Sequence, residues 1–120
     1  MAQSKRLWGL TFGRVADRVT DMPGLHLRDV PPSTTLLVRT SNSLYRVVVT
    51  DWPEVYVQGG AFFPDPTVAS IGGASLRGHG LKVGWIGAGL SMEIHSGGRH
   101  IITSRVLAIT TEQPSGLPDE

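Results

Sequence analysis

Apolar residues recur along this chain on two different periods, and the switch between them divides it. Near the start Trp8, Phe12, Val15, Val19 and Met22 fall at spacings of four, three, four and three, one stripe of an amphipathic helix. Gly9 and Gly13 each weaken such a helix by roughly 1 kcal/mol relative to alanine, and Pro23-Gly24 ends it, so the pattern predicts helix over Thr11–Met22. Beyond Pro31-Pro32-Ser33 the period falls to two, in short β-rich runs separated by turn residues.

Thr35–Thr40 and Leu44–Thr50 read as a hairpin around Ser41-Asn42-Ser43, with Asn42 suited to the left-handed backbone of a tight turn. In the second run both alternating faces carry apolar residues, which predicts a strand covered on both sides. Val55–Gln58, ended by Gly59-Gly60, and Thr67–Ile71 follow as further strands. The clearest alternation sets Leu90, Met92 and Ile94 against Ser91, Glu93 and His95, a strand with one wet face. Ser96-Gly97-Gly98 reverses the chain into Arg99–Thr103, and Val106–Thr110 completes six or seven strands. Glycines at 72, 73, 78, 80, 84, 87 and 89 predict a kinked strand that helps a short sheet curl closed. The expected architecture is mainly β: a small closed or partly open antiparallel β-barrel of six or seven strands with a short N-terminal helix or arm. Its parts are an arm over 1–33, the barrel over 34–111 and a flexible tail over 112–120.

Composition agrees with one domain. Apolar residues make up 40% and charged residues 18% of 120, enough to support a core without the charge excess of disordered chains. The net charge of +1 provides no long-range field to steer polyanions, and only the tail, at −3, is lopsided. The absence of cysteine excludes disulfides, thiolate metal sites and cysteine nucleophiles. Leu7–Leu10 is too short an apolar run for a signal peptide or membrane span, which points to a cytoplasmic setting.

Five candidate sites follow. Gly84-Trp85-Ile86-Gly87-Ala88-Gly89 has its glycines in the wrong order for a dinucleotide fingerprint, no Gly-Lys-Ser/Thr makes a P-loop, and strand kinks account for the glycines better. Glu93, His95 and His100 suggest metal binding only if a two-residue turn at Gly97-Gly98 sets His95 opposite His100; a shifted register leaves an ordinary exposed pair, and the preferred reading is no metal and no cofactor. No nucleophile elbow, zincin helix or paired carboxylates mark a hydrolase.

Aromatic and basic residues supply the fourth candidate, a binding surface of Tyr45, Arg46, Phe62, Phe63, Arg77, Lys82 and Trp85. Stacking combined with cationic contacts is how single strands of nucleic acid are held, whereas burial of the same rings would simply fill the barrel. The fifth candidate is the N-terminal stripe, where Trp8, Phe12, Val15 and Val19 form an interface with the barrel or with a second copy. Its polar face alternates Arg14, Asp17, Arg18 and Asp21, so membrane contact is not expected.

The stretch from Leu37 to Tyr45, with Val57-Gln58-Gly59-Gly60 and Ile102-Thr103-Ser104-Arg105-Val106, resembles a group of small bacterial proteins of unassigned function. That resemblance implies a bacterial, cytoplasmic setting and supplies no activity. The expected function is a non-enzymatic binding or assembly module acting through self-association or a macromolecular partner. The alternatives are a small hydrolase or metal-dependent enzyme using the histidines, and a single-stranded nucleic-acid-binding module, which the near-neutral charge disfavours.

Overall fold

The period-two runs become strands of one antiparallel sheet in the computed structural model, which describes residues 23–112. The predicted helix, and with it Trp8, Phe12, Val15 and Val19, lies outside the described residues, as does the chain after Glu112. The first strand, β1 (Gly24–His26), leads through a 3-10 turn (Leu27–Asp29) to β2 (Thr35–Thr40), β3 (Leu44–Asp51) and β4 (Glu54–Gly59). Then come β5 (Phe63–Leu76), β6 (His79–Val83), β7 (Trp85–Gly87), β8 (Ser91–Ser96) and β9 (Arg99–Glu112).

Two long strands close the sheet. The order is β4-β3-β2-β9-β8-β5, and β5 returns to pair with β4, so hydrogen bonds ring through six strands. The closure depends on strands that change partner along their length. The first part of β5 pairs with β4 and its last part with β8. Likewise the start of β9 pairs with β8 and its end with β2. The register shifts at Gly72, where β5 leaves β4, and near Leu107 in β9; such bulges raise local twist and let a strand turn a barrel corner. Thr67–Ile71 is therefore the middle of a strand running Phe63–Leu76, and the two short runs predicted after Gly98 are one strand.

The glycine-rich segment holds more than the single kinked strand expected of it. It contains the end of β5, the strand β6 on the far side of that end, and β7, which pairs with β1 in a separate two-stranded sheet. Gly73 sits at φ 147°, and a Cβ there would collide with the Lys82 carbonyl, so only glycine lets β6 pair this closely. Ile86 of β7, with Leu27 and Val30 of the 3-10 turn and its C-cap after β1, joins the barrel's own core.

Inward positions fill the lumen. Leu36, Val38, Val47, Val57, Met92 and Ile94 alternate inward along their strands and are completely buried, each contributing roughly 1.5–3 kcal/mol by leaving water. Phe63 is the largest of the fully buried residues. The opposite face of β3 is not covered as predicted: Leu44 and Arg46 face solvent and Val48 is half-buried, because no second layer among the described residues packs on that side. Nor is Asn42 left-handed. The β2–β3 turn is held instead by Thr40, whose hydroxyl accepts from the Ser43 N–H, while Ser104 Oγ accepts from the Asn42 N–H.

Candidate binding surface

With the lumen packed, chemistry is confined to the outer wall and the turns. Of the aromatic and basic residues read from the sequence, Tyr45 and Phe63 face inward and do not reach the surface. Tyr45 lies against Gly60, and burial pushes its phenol pKa up. The remaining five separate. Arg46 forms an ion pair with Glu112 at 2.8 Å across the outer wall. Phe62 is half exposed and lies 5.5 Å from the Arg99 guanidinium. Lys82 and Trp85 meet at the end of β6, and Arg77 stands at the turn before its start. No single patch unites the seven, because consecutive strand residues point to opposite faces and Phe63 must fill the core.

The Trp85 indole lies flat over Gly24 and Gly87, where a Cβ on either glycine would occupy the ring's own space. Its other contact is Lys82, whose ammonium is 4.2 Å from the ring centroid, a cation–π pair of the order of 0.5–1 kcal/mol. This arrangement ties the end of β6 to the β1–β7 sheet.

Two hairpins carry most of the outward chemistry. In the β8–β9 hairpin, Gly97 and Gly98 at φ 56° and 81° form a two-residue turn, and His95 does stand opposite His100. The two imidazoles stack at 4.4 Å, and His100 Nε2 is 2.7 Å from Glu93 Oε1. Glu93 was expected on a wet face, yet it is 6% exposed. The β5–β6 turn approaches this face: Ser75 Oγ accepts from the Gly78 N–H, and a Cβ at Gly78 would meet Ile102 of β9. A hydrogen bond from Ser75 is the largest cause of a Glu93 pKa held below the usual carboxylate value, opposed by desolvation and aided by His100.

This cluster lacks a nucleophile–base pair, since the Ser75 hydroxyl serves the carboxylate and not an imidazole. Among the described residues no three of His, Asp and Glu are grouped to hold a metal ion. The carboxylate, hydroxyl and imidazole satisfy one another, and the arrangement fastens the β5–β6 turn to β8.

The β5–β6 hairpin is the opposite case. All five residues of β6 are exposed, with Leu81 at 45% and Val83 at 67%. At its two-residue turn Arg77 adopts φ 56°, a left-handed conformation that costs a residue with a Cβ roughly 1–2 kcal/mol. The strand stands at the end of the sheet order, outside the ring of six, so one edge has no neighbour among the described residues. Sequence reasoning missed this edge because Gly78, Gly80 and Gly84 read as kinks. The one available signal was the alternation of Leu81 and Val83 about Lys82.

Fold and surface together define a class: a small antiparallel β-barrel with an apolar interior, a separate two-stranded sheet, and one strand of the main sheet outside the ring. No protein-family model matches the chain, no curated protein matches it, and no solved structure matches its fold. No helix among the described residues is long and apolar enough to cross a membrane.

Proposed function

We propose that this protein is a non-enzymatic binding or assembly module that meets a second copy or a macromolecular partner with the outside of its barrel. The observation that carries this reading is the contrast between an interior of buried apolar side chains and β6, where Leu81 and Val83 stand exposed on a strand outside the ring. Apolar side chains occupy the interior, whereas exposed apolar side chains on an open strand are what association uses. The cytoplasmic and bacterial setting belongs to the same proposal.

If Leu81 and Val83 serve association, they are surplus to folding. The Leu81→Ser/Val83→Thr double variant should then keep the wild-type melting temperature and circular dichroism, with stability changed by no more than about 0.5 kcal/mol per site. A loss of several kcal/mol would make them structural residues and end the reading. The enzymatic alternative runs through the histidines and requires that His100→Ala abolish a turnover that wild type possesses.

A further inference from the structure

The exposed strand also indicates what it binds. We infer that the edge of β6 left open among the described residues takes an extended segment of a partner protein as an added β-strand, and that this segment alternates apolar and acidic residues. The inference rests on the binding-module reading above and names the partner's chemistry.

The edge chemistry follows from the register. Gly73 is opposite Val83, and the Gly84 N–H donates to the Gly72 carbonyl at 2.9 Å, a bond that flanks this pair. A pair flanked in this way is the non-hydrogen-bonded kind, so the N–H and C=O of Val83 point away from β5. Lys82, opposite Ala74, turns its backbone toward β5, so the Leu81 carbonyl, on the far side of the peptide it shares with the Lys82 N–H, also points away; past Leu81 the register shifts. Val83 and Leu81 thus present one donor and two acceptors along the open edge, groups that an added strand satisfies together.

Charge selects which strand. Between Pro66 and Met92 the chain has no Asp or Glu but carries Arg77, His79 and Lys82. In a second copy pairing antiparallel through the same edge about Lys82, Leu81 would face Val83 and Lys82 of one copy would face Lys82 of the other. Like charges directly opposite are destabilising, and a lysine in an edge strand is a common guard against self-pairing. An acidic residue at the same point converts that repulsion into attraction. Side chains opposite Leu81 and Val83 share their apolar face, so the matching strand reads apolar, acidic, apolar. Arg77 gives independent support: it holds a left-handed turn position that glycine or asparagine would fill at lower cost, and it places a guanidinium at the tip of the same hairpin.

The test uses the full chain and three capped octapeptides, alternating Val-Glu, Val-Lys and Ser-Glu, titrated by isothermal calorimetry. The Val-Glu peptide should bind, and the Val-Lys and Ser-Glu peptides should bind at least about tenfold more weakly. Val83→Pro removes an N–H that β5 does not use, so it should keep the wild-type dichroism and lose at least about tenfold in affinity. Lys82→Glu should reverse the preference between Val-Glu and Val-Lys, which keeps the inference testable if the proline variant misfolds. Equal binding of Val-Glu and Val-Lys, unchanged affinity in folded Val83→Pro, or no binding to wild type would each overturn it. So would a wild-type dimer that light scattering shows Val83→Pro to dissolve, since the occupant would then be a second copy. Those outcomes leave the broader reading standing as long as the Leu81→Ser/Val83→Thr variant folds as wild type.

Discussion

The β8–β9 and β5–β6 hairpins both reverse on two-residue turns whose two residues are left-handed, yet they differ in what the surrounding structure does with them. The first lies within the ring, and its polar groups bond to one another: Glu93 with His100 and Ser75, and His95 stacked on His100. The second ends in a strand outside the ring, and its apolar side chains, cations and edge amides face solvent. A surface whose groups are mutually satisfied is structural. One whose groups are surplus to folding is where contact with another molecule is to be sought.

The largest effect that would break the contrast is at the glycines. Gly73→Ala drives a Cβ into the Lys82 carbonyl from a left-handed φ and should cost about 3 kcal/mol, read as a lower denaturant midpoint. Gly98→Ala meets open space at φ 81° and should cost about 1 kcal/mol. Equal losses would mean that β6 is not held as closely to β5 as the register requires.

Next comes Glu93→Gln, which weakens two bonds of a buried carboxylate and should destabilise by about 1–2 kcal/mol. Because the folded-state pKa of Glu93 is lowered, its contribution is fully present above the unfolded value of 4.5 and is lost as pH falls through the folded value. Below about pH 4.5 the wild-type denaturant midpoint should therefore fall toward that of Glu93→Gln. A constant difference between the two proteins down to strongly acidic pH would remove the carboxylate from this role.

Arg77→Gly reverses the sign. Relieving a left-handed arginine should raise stability by about 1 kcal/mol while weakening capture of the Val-Glu peptide, a trade of stability against binding that a purely structural turn would not show. The smallest effect is expected for the Leu81→Ser/Val83→Thr pair, whose near-wild-type stability is the mark of surplus side chains.

How far the sequence revealed this molecule depended on whether a local pattern survived tertiary pairing. Thr35–Thr40 was legible to the residue, since a strand with one buried face shows its alternation directly. The barrel class followed from short strands and glycine kinks. The extents of β5 and β9 did not, because bulges shift the alternation and because one strand serving two neighbours has no local signature. In the candidate surface, Lys82 and Trp85 are found together as their sequence proximity suggested, whereas Arg77 stands at the far end of β6 and Tyr45 and Phe63 were taken by the core. The opposition of His95 and His100 was legible as one of two registers. The burial of Glu93 was not, since it depends on the approach of a turn from another hairpin.

The two-partner strand β9 also bears on how the chain folds. Its last residues pair with β2, the first strand of the ring, so closure brings Thr35 beside Glu112 from nearly opposite ends of the described chain. Until that meeting occurs, β2 and the end of β9 each hold an unzipped margin, and the entropy of joining distant segments falls on the final step. Assembly should consequently be slow for a domain of this size, and chains interrupted before Val106 should be the species most prone to clumping.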